Sequence, residues 1–334
     1  MAARARRYRD SVADFNFHLE DEVEMLHREL TNKTYKHGKY RVFNVYDPKK
    51  RLIAAAPFRD RVVHHAVHDV IEPFIDETFI YDSYACRKDK GTHKAVDRAQ
   101  SFLRANRFCL HGDVKKYFPS IDHGILKEIF AKRTIDTDLA WLVNGIIDSA
   151  RQLSETSLSL DGHDKGLPIG NLTSQFFANL YLNELDYFVK FDLRRHYIRY
   201  MDDFLVFGND KKALINIKEQ VRDFLNEKLT LRMHEGKSQI YNTANGLKFL
   251  GFRIYRNYRR LASDNVRRFK KRLRKFTYLF ENDKINENRI SDSVRCWVAH
   301  SKYANTGGLR NNISSGLKTN RLEDSLKGIL LDRA

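Results

Sequence analysis

Residues 197–207 read Tyr-Ile-Arg-Tyr-Met-Asp-Asp-Phe-Leu-Val-Phe, so two adjacent carboxylates, Asp202 and Asp203, separate two short apolar runs. The pattern predicts a β-hairpin with both aspartates at its tip. Hairpin turns favour Asn-Gly or Asp-Gly, and adjacent like charges repel each other. The pair becomes useful when a cation neutralises it, and Mg²⁺ held by one or two carboxylates and substrate phosphates is the usual cation. The alternative is an exposed polar turn that contains two aspartates by chance.

The composition indicates a globular protein with a polyanionic partner. The chain has 334 residues, 42% of them hydrophobic, and a formal net charge of +17. This length predicts about two domains, and the charge favours nucleic acid over a membrane surface. No run of 18 apolar residues predicts a membrane span, and the N-terminus lacks the apolar core of a secretory signal. Three scattered cysteines, Cys86, Cys109 and Cys296, fit neither a disulfide framework nor a zinc site, so we expect reduced thiols in a cytoplasmic protein.

Hydrophobic periodicity predicts an α+β fold. Asp122 or Ser120 can cap a helix that begins near Pro119. Tyr46 to Lys50 is typical of a turn. Strands are expected at 51–57, 107–114, 239–241 and 248–252, and helices at 8–31, 60–76, 94–106, 137–151, from a turn at 166–171 to about Lys190, at 211–227, and throughout the chain from 263 onward.

Asp113 ends the apolar strand that begins near Arg107, and Tyr117 and Phe118 follow it closely. A lone aspartate in such a place is usually a turn or helix-capping residue. If its strand lies beside the 197–207 hairpin, however, Asp113 and Asp202 converge at one end of a sheet. Two such carboxylates can bridge the two Mg²⁺ ions that polymerases use for in-line phosphoryl transfer. Asp203 is then a weaker ligand or tunes the site from outside it.

In two boxes the chain resembles reverse transcriptases. Tyr200-Met201-Asp202-Asp203 matches the YxDD box of that family, and Asp113 to Phe118 matches its box Asp-hydrophobic-x-x-aromatic-aromatic. The resemblance implies an RNA-directed DNA polymerase with a right-hand fold: fingers at 1–105, a palm at 106–255 with a fingers insertion at about 135–170, and a helical thumb at 256–334. It also implies two Mg²⁺ ions, or Mn²⁺ in their place, bound by Asp113, Val114, Asp202 and Asp203.

The same resemblance implies roles for residues outside the aspartates. Phe118 falls where the family keeps a bulky gate against a 2′-hydroxyl, although it and Tyr117 can also be ordinary core residues. Lys50 and Arg51 open the strand that covers the triphosphate, or form a solvated charged pair. Lys237 matches the residue proposed to protonate the leaving pyrophosphate. Leu250, Gly251 and Phe252, preceded by Lys248, match the primer grip.

The stretch 165–175 separates subfamilies. Most bacterial reverse transcriptases have Gln-Gly-x-x-x-Ser-Pro where this chain has Ile169-Gly170-x-x-x-Ser174-Gln175. That departure resembles the enzymes of diversity-generating retroelements, as do 57–65 and 82–93. The resemblance implies copying of a template-repeat RNA with errors at template adenines. A glutamine at this position could donate a hydrogen bond to the nucleotide, whereas Ile169 contacts it only by shape. Loss of that polar contact lowers discrimination between correct and incorrect nucleotides. The alternative is that Ile169 is simply an apolar packing residue.

The region after the primer grip is strongly basic. Residues 253–275 contain eleven Lys or Arg and one acidic residue, which fits either a solvated helical face or a helix that tracks a nucleic-acid duplex. Residues 295–300 look like a packing motif of the thumb. The expected partners are template RNA, the primer–cDNA duplex, deoxynucleotides and a pentameric basic accessory protein.

Other identities stay open on the sequence. The nearest alternatives are a retron, group II-like or abortive-infection reverse transcriptase, which Ile169 and Gln175 disfavour. A different alternative is a non-catalytic protein that binds nucleic acid on a polymerase scaffold, which the three intact aspartates disfavour. Because the sequence ends soon after the thumb, we expect no maturase, endonuclease or RNase H extension. We expect the cytoplasm of a bacterium or archaeon, or a phage-encoded protein.

Overall fold

The computed structural model describes residues 2, 9–46, 50–153, 164–316 and 323–331. The strands are β1 (Arg41–Val45), β2 (Arg51–Ala55), β3 (Phe108–Asp113), β4 (His196–Tyr200), β5 (Asp203–Gly208), β6 (Gln239–Asn242), β7 (Leu247–Phe249), β8 (Phe252–Ile254) and β9 (Arg259–Leu261). The helices are α1 (Asp10–Phe17), α2 (Leu19–Thr31), α3 (Phe58–Asp76), α4 (Thr92–Ala105), α5 (Tyr117–Ser120), α6 (His123–Ala131), α7 (Thr137–Asp148), α8 (Leu172–Tyr187), α9 (Lys211–Leu229), α10 (Ser263–Glu281), α11 (Glu287–Ser301), α12 (Gly307–Ser315) and α13 (Glu323–Leu331). The predicted α+β fold is confirmed.

The described residues form two compact units. Unit 1 comprises Met1–Gly91, Leu110–Val206 and Lys211–Gln239, and unit 2 comprises Thr92–Cys109, Phe207–Asp210 and Ile240–Ala334. The chain passes from one unit to the other within β3, β5 and β6. These strands belong to a four-stranded sheet of order β4-β5-β3-β6, while β1 and β2 form an antiparallel pair in unit 1.

Helix α8 is the central helix of unit 1. Twelve of its 16 residues are buried, including Phe176, Leu180 and Leu185. A helix that is apolar on most faces has to lie inside its domain, because no face of it can meet water without loss of apolar burial. The polar residues on α8, Asn179 and Asp186 among them, are buried as well and therefore need partners within the protein.

Unit 2 contains a three-stranded sheet, β7-β8-β9, together with α4 and the C-terminal helices. Trp297 of α11 stacks on Phe269 of α10 with ring centroids 3.8 Å apart, and its indole N–H donates to Asn265 Oδ1 at 3.0 Å. These contacts give the 295–300 segment a packing role within its unit.

Most predicted elements are present, and the differences have physical causes. The hairpin at 197–207 is β4 and β5, and Asp122 caps α6 by accepting from Ile125 N at 3.1 Å. The predicted helix at 8–31 is interrupted at His18, and the helix at 137–151 gives way to a 3₁₀ turn at Ser149–Leu153. The predicted strand at 248–252 is divided into β7 and β8, because Leu250 and Gly251 have φ of +48° and +85° and turn the chain between them. The predicted turn at 46–50 lies largely outside the described residues.

Candidate active site

The carboxyl end of β3 and the β4–β5 turn meet within unit 1. Val114 N donates to Asp202 O at 3.3 Å, which places the Asp113–Val114 peptide directly beside the turn. On the other side of β3, His234 N donates to Asp113 O at 2.7 Å, and the buried Ser238 hydroxyl accepts from Asp113 N at 3.3 Å. The structure therefore brings Asp113 and Asp202 together, and fixes the backbone of Asp113 from both sides.

Three carboxylates concentrate negative charge at this corner, and Asp202 is affected most. Burial, followed by the negative charges of Asp113 and Asp203, raises the pKa of Asp202 to about 6, while Lys237 opposes the shift. A buried carboxylate beside two others is stabilised by a cation bound between them. Asp113 remains partly accessible, with 19% of its side chain exposed.

Asp203 is held by a histidine that the sequence reasoning overlooked. His111 Nε2 lies 2.5 Å from Asp203 Oδ1. His111 and Asp113 point to the same face of β3 because side chains alternate along a strand. Gly112 between them packs under the ring of Phe204, at a spot where a Cβ would overlap the ring. No signal within 107–114 pairs His111 with a residue so far along the chain.

Lys237 contacts the first aspartate. Its Nζ lies 2.6 Å from Asp113 Oδ2, and 53% of its side chain is exposed. The ammonium group of Lys237 is therefore partly exposed to solvent and forms an ion pair with Asp113. The turn that carries it is held at His234, whose carbonyl accepts from Lys237 N at 3.1 Å and from Ser238 N at 2.9 Å.

Strand β2, which begins at Arg51, is docked on residues 169–171. Ala54 N donates to Ile169 O at 3.0 Å, and the side chain of Asn171 spans Ala54 O and Ala56 N at 3.1 Å each. Gly170 adopts a φ of +122°, and a Cβ there would lie 2.8 Å from Ile53 Cγ2. Arg51 and Lys50 are exposed, and Ile169 is half-buried.

The two aromatic residues after Asp113 differ in exposure. Tyr117 is 2% exposed, and its hydroxyl donates to Ala178 O of α8. Phe118 is half-buried, lies edge-on to Tyr117 with ring centroids 5.7 Å apart, and accepts at its carbonyl from Leu167 N. Tyr117 is therefore a core residue, whereas Phe118 keeps part of its surface exposed. Gln175 is exposed and accepts from the Cys86 thiol at 3.3 Å.

The predicted primer grip lies in unit 2. Leu250 and Gly251 form the tip of the β7–β8 hairpin, and the nearest atom to a Cβ at Gly251 would be His300 Nε2, at 3.8 Å. Phe252 is fully buried, with its ring 4.7 Å from that of His300, so it supports the tip from below. Beyond it, α10 buries Phe269 and Leu273 and exposes seven basic residues: Arg267, Arg268, Lys270, Lys271, Arg272, Arg274 and Lys275.

The ligand chemistry at 113–114 and 202–203 suits magnesium. In the part of the chain that the structure describes, no three His, Cys, Asp or Glu side chains surround one point as a metal cage would require. Mg²⁺ rarely uses such cages, because it keeps several waters and binds one or two carboxylates together with substrate phosphates. Asp113, Asp202 and the carbonyl of Val114 supply oxygen ligands of that type, and burial of Asp202 among like charges favours a cation.

Comparison with known proteins gives consistent results. Residues 36–254 match the family described as Reverse transcriptase (RNA-dependent DNA polymerase). Protein YkfC of Escherichia coli K12 is 26% identical over 294 residues, which is 73% of this chain and 74% of YkfC. The group II intron-encoded protein LtrA of Lactococcus lactis is 23% identical over 273 residues, which is 62% of this chain and 44% of LtrA.

The structural comparison identifies the fold. The apo telomerase of Candida tropicalis aligns with a TM-score of 0.52 and 11% identity, over 89% of this chain and 63% of the telomerase chain. This likeness confirms the predicted polymerase fold. The chain thus spans less than two thirds of the telomerase and less than half of LtrA. None of the helices in the described ranges combines the length and apolar character needed to cross a membrane.

Proposed function

This chain belongs to the reverse transcriptase (RNA-dependent DNA polymerase) family, and from that membership we propose that it extends a DNA primer on an RNA template at Asp113 and Asp202. The observation that carries the proposal is the hydrogen bond from Val114 N to Asp202 O, which joins the two boxes that the family requires. A protein that only binds nucleic acid would not need three carboxylates at this corner.

The metal chemistry follows from the oxygen ligands. Two Mg²⁺ ions, when bound by Asp113, Val114 O and Asp202, supply activation of the primer 3′-hydroxyl and stabilisation of the leaving pyrophosphate. Asp203, tied to His111, tunes the field of the site rather than closing a ligand set. Lys237 holds a proton at the mouth of the site and is the proposed acid for the pyrophosphate.

The nucleotide site is proposed beside these carboxylates. Arg51 and Lys50 contact the triphosphate, the backbone at Gly170 admits the nucleotide, and Phe118 excludes a 2′-hydroxyl with Tyr117 behind it. The docking of β2 on Ile169 to Asn171 supports this arrangement, because it ties the basic strand to the nucleotide-facing segment. For the duplex we propose the β7–β8 tip and the basic face of α10, within the fingers, palm and thumb divisions predicted from the sequence.

We further propose that the enzyme is of the diversity-generating type. Ile169 and Gln175 support this, since they stand where most bacterial reverse transcriptases have glutamine and proline, and the side chain at 169 has no hydrogen-bonding group. On this proposal a template-repeat RNA is copied with errors at adenines, together with a basic pentameric accessory protein. A group II-like enzyme is the second candidate, and the similarity to LtrA favours it.

Two measurements test these proposals in sequence. The first is primer extension on RNA by the unchanged chain, by Asp202→Ala and by a control, Asp223→Ala, whose carboxylate is exposed on α9. Extension that needs Asp202 but not Asp223 supports polymerase activity, and equal extension by all three proteins refutes it. The second is sequencing of cDNA made on an adenine-containing template. Errors concentrated at adenines, and reduced by Ile169→Gln, support the subtype, whereas faithful copying at adenines refutes it.

A further inference from the structure

An arginine inside unit 1 lies directly behind the β4–β5 turn. Arg199, in β4, is fully buried. Its Nε and Nη2 donate to the two oxygens of Asp186 at 2.7 and 2.6 Å. Nη1 donates to Asn179 Oδ1 at 3.0 Å and to Met201 O at 3.1 Å, and Nη2 also donates to Asn179 O at 3.2 Å. Each of the five N–H groups of the guanidinium thus has an acceptor.

One of those acceptors, the carbonyl of Met201, belongs to the β4–β5 turn. Met201 has a φ of +58°, a left-handed conformation that is uncommon for a residue with a Cβ. Its carbonyl is the group that Arg199 Nη1 holds. This carbonyl belongs to the peptide that leads into Asp202, so the hydrogen bond restrains the orientation of that peptide.

The backbone of Arg199 is held independently of its side chain. Arg199 N donates to Asp82 O and Tyr84 N donates to Arg199 O, both at 3.0 Å. Strand β4 is therefore anchored at this residue even without the guanidinium. Removal of the guanidinium acts on the turn and on the buried carboxylate of Asp186, not on the pairing of the strand.

We propose that Arg199, held by Asp186 and Asn179 on α8, is a positioning residue for polymerisation, and that its bond to Met201 O aims Asp202 at Asp113. The inference rests on the proposed polymerase activity. Lysine cannot replace it, since one ammonium group cannot bind Asp186 in bidentate fashion and also reach Met201 and Asn179. The alternative is a buried ion pair that serves stability only.

The two explanations separate when stability is restored without the arginine. A buried pair replaced on both sides by apolar residues is often as stable as the original, whereas removal of one partner leaves a buried charge. The variants are therefore Arg199→Met and Arg199→Met combined with Asp186→Leu. Arg133→Met serves as control, because Arg133 also pairs with α8, through Glu184 at 2.8 Å, without reaching the turn.

For each protein we would measure the melting temperature, the single-turnover rate and KM for the nucleotide, and amide exchange at residues 200–203. We expect the double variant to recover most of the melting temperature lost in Arg199→Met. We expect its rate to stay about 100-fold below that of the unchanged chain, the effect of a misplacement of about 1 Å, with KM changed much less. Exchange at 200–203 should be faster in the double variant and unchanged in Arg133→Met.

A double variant that melts like the unchanged chain and polymerises at a similar rate overturns the proposal. If the double variant does not fold, Arg199→Lys decides, since it keeps a positive charge beside Asp186 and loses the bond to Met201. A full rate in that variant also overturns the proposal. If the unchanged chain shows no polymerase activity, the proposed function fails by itself, and exchange at 200–203 still tests the positioning: no increase in the variant that folds overturns it.

Discussion

Gly112 lies between His111 and Asp113, and the ring of Phe204 occupies the space that a side chain at 112 would need. Of the three ring carbons nearest to a built Cβ, even the farthest lies only 2.7 Å away, whereas ordinary contact begins near 3.4 Å. The nearest ring carbon lies 2.1 Å away, so Gly112→Ala forces β3 and Phe204 apart by about 1.3 Å to reach ordinary contact. Phe204 is fully buried, so the ring has no open space to turn into.

The expected effects are on both stability and rate. Overpacking of a filled core costs about 1–3 kcal/mol in the free energy of unfolding, measured by urea denaturation. Phe204 follows Asp203 directly, so its displacement also separates the carboxylates of the turn from Asp113. A shift of this size lowers the rate of primer extension by about 10²-fold.

Two companion variants sharpen the result. Gly145→Ala, in α7 with no atom within 4 Å of the new Cβ, should leave the rate unchanged and raise stability by up to about 1 kcal/mol. Adding Phe204→Leu to Gly112→Ala should recover part of the rate, because the shorter side chain vacates the overlap. A Gly112→Ala protein with unchanged stability and rate would refute the packing argument.

Three further predictions concern other parts of unit 1. Lys237→Ala should lower the extension rate by about 10²-fold or more with little change in KM, and an unchanged rate at saturating nucleotide would remove it as the acid. Gly170→Ala should destabilise by about 1–3 kcal/mol and raise KM for the nucleotide, since φ is +122° and Ile53 blocks the Cβ; unaltered urea unfolding would contradict this. The pKa of His64 is lowered to about 3, first by burial and then by the positive charges of His37 and His65. Between pH 6.5 and about 3 the unfolded chain therefore binds a proton at His64 that the folded chain does not, and the free energy of unfolding falls as the pH drops through this range. His64→Leu should flatten that fall in a comparison of melting at pH 7.5 and 5.0, and an equally steep fall would exclude His64 as its source.

Local patterns predicted the elements that carry the site. The apolar runs around Asp202 and the apolar strand before Asp113 each give a clear signal over a few residues, and Asp122 is an ordinary helix cap. Strand β1 gave no such signal, because all five of its residues are exposed and its burial does not alternate. The break between α1 and α2 at His18 was missed, because helical periodicity continues across it.

The supporting pairs could not be found from the sequence because each joins distant segments. His111 meets Asp203 and Arg199 meets Asp186 only after the chain has folded. Arg199 stands within the apolar run that precedes Asp202, and its burial is explained by a carboxylate and an amide on α8. A sequence pattern shows which face of a helix or strand is apolar, but it does not show which two charged residues pair inside the protein.

In the proposed mechanism, Asp113 and Asp202 act as one site. The most direct test of this mechanism is the single-turnover incorporation of one deoxynucleotide on an RNA template by Asp113→Asn, Asp202→Asn and the double variant, at fixed magnesium. If both carboxylates serve the same bound cations, either change alone should remove nearly all activity and the double variant should be no slower than the single ones. Single losses that multiply in the double variant, or a protein that keeps its rate without either aspartate, would contradict the account.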